Sequence, residues 1–129
     1  MQASTSRVAE FLERFGRERN LVLPAMGEDG VGSIQRGSAV VTIHVLEQKG
    51  VLLVLSRVAK QPQIDLERAK RLLEASFVET GDAAFALHPQ TGDVYLRILR
   101  GLEGLDYEEF EELVDSIARA ADHWDDKLA

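Results

Sequence analysis

The sequence has no cysteine. Disulfides, thiolate metal sites and cysteine nucleophiles are therefore excluded, and a reducing compartment is the natural setting. It also lacks any apolar run near the ~20 residues that a bilayer-spanning helix needs. The opening residues, MQASTSRVAEFLERF, have neither the basic start nor the continuous apolar core of a signal peptide. Together these absences predict a cytoplasmic protein with no membrane insertion. Positive charge is short as well: 15 Lys and Arg against 22 Asp and Glu give a formal net charge of −7 and a pI near 4.9. Such a surface repels a phosphate backbone, so nucleic acid is not an expected partner. The one basic cluster, Arg68, Lys70 and Arg71, shares a helical segment with Glu67 and Glu74 and reads as a solvated helix face.

What is present fits a globular chain. Hydrophobic residues make up 45% and charged residues 29% of its 129 residues, enough for one domain, 1–129, with a real core. Its centre is Ala39 to Val58, AVVTIHVLEQKGVLLVLSRV, two β-branched apolar runs around Glu47-Gln48-Lys49-Gly50. That pattern is a β-hairpin. A loop of Lys49-Gly50 alone sets residue 45 opposite 54, whereas a loop of all four sets 45 opposite 52. Both loops have even length, so the division of side chains is the same in either case. One face carries Val41, Ile43, Val45, Leu52, Val54 and Val58, interrupted by Ser56. The other carries Thr42, His44, Leu46, Leu53, Leu55 and Arg57, half apolar and half polar. The first is a core face; the second needs a cover, either one of the protein's own helices or another chain.

Helical periodicity brackets this hairpin. Val8, Phe11, Leu12 and Phe15 fall on one stripe of a first helix, capped by Ser4, Thr5 or Ser6. Pro24 argues against a central strand in Leu21-Val22-Leu23-Pro24, and Gly27-Glu28-Asp29-Gly30 is a turn. Val31 to Arg36 completes a three-stranded meander. Pro62 ends it and opens a second helix to about Phe77, with Leu66, Ala69, Leu72, Leu73 and Phe77 as its apolar positions. Ala83 to Leu87 and Val94 to Leu99 form a second hairpin around His88-Pro89-Gln90-Thr91-Gly92-Asp93. In its second strand Tyr95, Arg97 and Leu99 lie opposite Val94, Leu96 and Ile98. Asp106 and Glu109 make a capping box for the last helix, flanked by the staple pair Leu105 and Phe110. Its stripe runs through Leu113, Val114, Ile117, Ala121, Trp124 and Leu128, and the rest of it is strongly acidic. The expected architecture is α+β, in the order α-β-β-β-α-β-β-α, an antiparallel sheet with helices packed on it.

No constellation carries catalysis. His44, His88 and His123 fall on a strand, a turn and a helix, without metal-ligand spacing. Asp122-His123-Trp124-Asp125-Asp126 runs along a helix, where successive side chains diverge, so it is not a metal site. Gly27 to Gly32 matches no phosphate-binding pattern, and Ser33, Ser38 and Ser56 lack a nucleophile-elbow setting. No metal, cofactor or catalytic residue is expected.

The element order and several segments resemble the class I type III secretion chaperones, the Tir-chaperone (CesT-like) family. Leu72-Leu73-Glu74-Ala75-Ser76-Phe77 is similar to the family's LLEAN-type end of the middle helix, with Ser76 where Asn is usual. Phe85 to Leu96, FALHPQTGDVYL, resembles its second hairpin. Gly104-Leu105-Asp106-Tyr107-Glu108-Glu109-Phe110, followed by Ala120, Ala121 and Trp124, resembles its closing helix. Glu28-Asp29-Gly30 and the strand LVLSRVAKQP, Leu53 to Pro62, sit where the family has "deG" and an "l.l.a.vg.lp" run. The similarity extends from about Val8 to Leu128 and rests on order and spacing.

The resemblance implies an acidic cytoplasmic homodimer without enzymatic activity, which holds the N-terminal region of a secreted effector in extended form for type III secretion. YbjN-like proteins share the fold, so a regulatory or protein-interaction module without a secreted client is the alternative. Composition adds a requirement of its own: an extended client needs apolar patches for alternate side chains and an edge for strand addition. Three helices can cover only part of the sheet. Thr42, His44, Leu46, Leu53, Leu55 and Arg57 are therefore the candidate contact with another chain. The two-fold contact is expected on the middle helix or on the second hairpin, at Tyr95, Arg97 and Leu99.

Overall fold

Val, Ile and Leu at alternating positions build the three long strands of a five-stranded sheet, and two amphipathic helices seal one face of it. The computed structural model describes residues 3–128. Its elements are α1 (Ala3–Glu18), β1 (Val31–Arg36), β2 (Ala39–Leu46), β3 (Val51–Ala59), α2 (Leu66–Val78), β4 (Ala84–Leu87), β5 (Val94–Gly101) and α3 (Tyr107–Trp124). The strands pair antiparallel in the order β1-β2-β3-β5-β4. β5 thus returns between β3 and β4, leaving β1 and β4 as the two edges.

The central hairpin adopts the longer of its two candidate loops. Val45 pairs with Leu52, Ile43 with Val54 and Val41 with Ser56. Glu47–Lys49 form a single 3-10 turn, and Gly50 closes it in the left-handed region at φ 67°, where a side chain would be strained. Val41, Ile43, Val45, Leu52, Val54 and Val58 are all buried. Ser56, the polar interruption, is buried with them and donates its hydroxyl to the Val40 carbonyl at 2.9 Å. That bond offsets the cost of desolvating the hydroxyl.

α1 and α3 cover this face. Val8, Leu12 and Phe15 of α1 and Phe110, Leu113, Val114 and Ile117 of α3 join the same buried cluster as the strands. Each such side chain contributes about 1.5–3 kcal/mol by leaving water. Phe110 lies 5.6 Å from Phe11 and 6.3 Å from Phe15, ring centre to ring centre, so the two helices lock through aromatic contacts. Gly32 of β1 sits where α1 crosses: a Cβ there would come within 2.9 Å of Leu12 Cδ2.

Four local expectations change. Helix α1 is already running at Ala3, so Ser4, Thr5 and Ser6 lie within it and its cap lies outside the described residues. The Thr5 N–H and hydroxyl both donate instead to Glu47 of the β2–β3 turn, at 2.7 and 3.1 Å. Helix α2 starts at Leu66 rather than Pro62, because the Asp65 carboxylate accepts the Arg68 N–H at 2.8 Å and sets the first turn. In α3 only half of the capping box forms: Asp106 accepts from the Glu109 N–H at 2.8 Å, while the Glu109 carboxylate turns to Arg100, 3.4 Å away. The basic residues of α2 also find other partners, Arg71 pairing with Glu79 and Arg68 donating to the Gln63 carbonyl.

The largest departure is on α2. Leu72 and Ala75 are its buried residues, whereas Leu66, Leu73 and Phe77 are 71%, 73% and 91% exposed. The helix lies against the edge strand β4 and not over the sheet, so only one side of it reaches the core. The stripe 66-73-77 is turned to solvent.

Candidate partner-binding site

Among the described residues, the second face of the sheet carries no helix. Its positions alternate with the buried ones: Val40, Thr42, His44 and Leu46 on β2, and Leu53, Leu55 and Arg57 on β3. On β5 they are Tyr95, Arg97 and Leu99. Val40 and Leu99 are each 46% exposed, and Arg57 and Arg97 are exposed. The remaining side chains of this set are half-buried by one another. All six residues that the sequence singles out for partner contact, Thr42, His44, Leu46, Leu53, Leu55 and Arg57, stand on this face.

The three residues expected at a two-fold contact stand there too. Register places Tyr95 opposite Arg57, Arg97 opposite Leu55 and Leu99 opposite Leu53. Two sets separated by some forty residues of sequence are therefore cross-strand neighbours, within direct side-chain reach. A groove runs across them, lined by Thr42, His44, Leu55, Arg57 and Tyr95 and closed at one end by His88 and Pro89 of the β4–β5 turn. Leu46, Leu53 and Leu99 continue the same surface toward the other end of the strands. Sequence reasoning did not assign Val40, His88 or Pro89 to this surface. For Val40 the strand alternation was a usable signal; for the turn residues there was none, because the placement of the β4–β5 hairpin beside β3 is not local.

Its polar groups are few and mostly occupied. His44 Nε2 and Thr42 Oγ1 are 3.0 Å apart, hydrogen-bonded along one strand face. Burial lowers the His44 pKa, opposed in part by the charge of Asp29, so the ring is neutral at physiological pH. His88 Nδ1 accepts the backbone N–H groups of Gln90 and Thr91, which fixes it as part of the turn. Arg57 lies 3.6 Å from Asp93, whose other oxygen accepts the Gln61 N–H at 3.0 Å. Among the described residues no cluster of three or more His, Cys, Asp or Glu is arranged to hold a metal ion. No helix among them is long and apolar enough to cross a membrane. What this surface offers a ligand is apolar area and a few cations on a pleated sheet.

A second apolar surface borders it. Leu73 of α2 and Leu87 of β4 line a shallow trough with Ile64, Ala69 and Leu72. Leu87 is 58% exposed, and Leu66, Leu73, Phe77 and Val78 of α2 are more exposed still.

Known structures share this arrangement. A chain of the ExsC–ExsE complex matches with a TM-score of 0.77 at 23% identity, over 96% of this chain and 95% of that one. A chain of the HopA1–SchA chaperone–effector complex matches with a TM-score of 0.77 at 12% identity, over 98% of each. E. coli YbjN matches less well, with a TM-score of 0.52 at 9% identity over 87% of each chain. No curated protein is similar in sequence at a significant level. Helix, meander, helix, hairpin and helix on a half-covered sheet thus define a secretion-chaperone fold. The chain belongs to the Tir chaperone protein (CesT) family, whose sequence profile matches residues 10–125.

Proposed function

We propose that the protein is a non-enzymatic, cytoplasmic chaperone that holds the N-terminal region of a secreted effector in extended form for type III secretion. The observation that carries this reading is the open sheet face in a member of the CesT family: a pleated, largely apolar surface without a helix over it. A pleated face suits an extended chain, whose alternate side chains fall at the same period as the pockets between strand residues. The free edge of β1 offers main-chain hydrogen bonds beside it. Binding of this kind needs no general base, nucleophile or metal.

The α2–β4 surface is the better candidate for the two-fold contact than Tyr95, Arg97 and Leu99. Large apolar side chains as exposed as Phe77, Leu73 and Leu66 are rare on a monomer and mark interfaces when they are contiguous. A homodimer through α2 leaves the sheet faces of both copies available to one client.

Co-purification from the host tests the proposal. An exported protein should be recovered, with the segment protected from limited proteolysis lying in its N-terminal region. Binding confined to folded, internal domains would overturn it. The likeness to YbjN favours a second reading, a regulatory module without a secreted client; recovery of a non-exported partner that competes for the same face would support that one.

A further inference from the structure

The protein is acidic overall, yet none of its five strands contains an Asp or a Glu. The 22 acidic residues are all confined to helices and connections. The charged side chains that the strands themselves place on the open face are accordingly cations, Arg57 and Arg97. Arg57 and Arg97 occupy adjacent strands of that face, Arg97 opposite Leu55 and Arg57 two residues further along. Residues on this diagonal are within reach of each other's long side chains. Among the described residues Arg97, which is exposed, has no ion-pair partner, and Arg57 has one, offset from hydrogen-bonding distance. That partner is Asp93, at 3.6 Å and already engaged with the Gln61 N–H. Asp29 stands at the rim near His44, and His44 and His88 bring no negative charge. Around the two arginines lie Val40, Leu53, Leu55, Tyr95 and Leu99, so charge and apolar area are interleaved.

We propose that this face selects an extended client segment in which aliphatic or aromatic side chains alternate, two residues apart, with Asp or Glu, the carboxylates seating against Arg57 and Arg97. The inference rests on the reading of this face as the client site and adds to it the chemistry of the client. Side chains at i, i+2 and i+4 of an extended chain point the same way, so one side of such a segment meets both the apolar residues and the guanidinium groups. Arg–carboxylate pairs set over an apolar floor are stronger than the same pairs in open water. A second copy of this chain is a poor occupant. Its exposed apolar stripe, Leu66, Leu73 and Phe77, lies on a helix and so lacks the two-residue period of a pleated face. The acidic helix α3 keeps its apolar stripe inside its own core.

The test uses three synthetic peptides with Leu on one side of an extended chain, interspersed with Glu, Gln or Lys, titrated into the isotope-labelled full chain. The Glu peptide should shift the amide resonances of β2, β3 and β5 and bind about tenfold tighter than the Gln peptide, with the Lys peptide weaker still. Its advantage should shrink between roughly 50 and 500 mM NaCl. Arg57→Gln with Arg97→Gln should abolish the preference, while Arg57→Lys with Arg97→Lys should keep most of the salt-dependent part. Both side chains are exposed, so the variants should retain the native circular dichroism. Equal binding of the Glu and Gln peptides at this face would overturn the acidic preference and leave the client face standing. Shifts confined to α2 and β4, or none for any peptide, would overturn both.

Discussion

Arg19 and Asp115 meet fork to fork: Nη1 donates to Oδ1 at 2.6 Å and Nη2 to Oδ2 at 2.7 Å. Nη2 also donates to Glu111 at 2.9 Å, and the guanidinium lies 4.0 Å above the Phe15 ring centre. The residue after α1 is thereby fastened to the acidic side of α3. Part of the negative charge of that helix is therefore structural and not merely solvated.

The hydrogen bond from Arg19 lowers the Asp115 pKa, partly opposed by burial. A carboxyl whose folded pKa is depressed contributes stability above its unfolded value of about 3.9, and loses it as pH falls through the folded value. Asp115→Asn should therefore flatten the acid limb of stability below about pH 4. With the two side chains 21% and 26% exposed, a double-mutant cycle to Ala should give a coupling of about 1 kcal/mol in urea unfolding at neutral pH. A wild-type acid limb unchanged by Asp115→Asn would remove this account of the pair.

Glu47 is the acceptor for both donors of the buried Thr5, and it reaches them from the β2–β3 turn. Glu47→Ala leaves a helix N–H and a hydroxyl unpaired, at a cost of about 1–2 kcal/mol. Glu47→Gln keeps an acceptor and should cost clearly less. Chemical denaturation of the two variants, with amide exchange of the first turn of α1, separates lost capping from general destabilisation.

On α2, Phe77→Asp changes a side chain that is 91% exposed and should alter the fold by no more than about 0.5 kcal/mol. If α2 holds the two-fold contact, light scattering should show the mass falling from two chains to one. An unchanged dimeric mass would place the contact elsewhere, with Tyr95, Arg97 and Leu99 the next positions to substitute.

Trp124 packs edge-on against Phe85, ring centres 5.1 Å apart at 84°, with Arg71 5.3 Å from its own ring centre. It joins the end of α3 to the edge strand β4 and to α2. Trp124→Ala should cost about 3–5 kcal/mol, and Phe85→Leu considerably less. As the only tryptophan it also reports on this corner: its native emission should be that of a buried indole and shift red on unfolding.

Much of the fold was legible because its signals are local. The turns at Gly27 to Gly30 and at Gly37-Ser38 mark β1 at the residues where it occurs, and period-3.6 stripes mark α1 and α3 with the correct inward side chains. The register of the central hairpin was open between two loops. The longer one prevails because Gly50 can take a left-handed conformation after a 3-10 turn, a choice that composition alone does not force. The stripe of α2 was legible as apolar and illegible as exposed, since a helical period records which side chains share a side and not what that side meets.

The sequence by itself determined which residues alternate to the second face of each strand, and that this face is rich in leucine and valine and free of carboxylates. It could not determine that β5 returns to lie between β3 and β4. That placement comes from the crossover through α2 to the far edge, and it depends on side chains far apart in the chain packing together under α1 and α3. Only through it do Arg57 and Arg97, or Leu53 and Leu99, become neighbours. The hairpin at the centre of the chain supplied half of the open surface, and the tertiary fold supplied the other half.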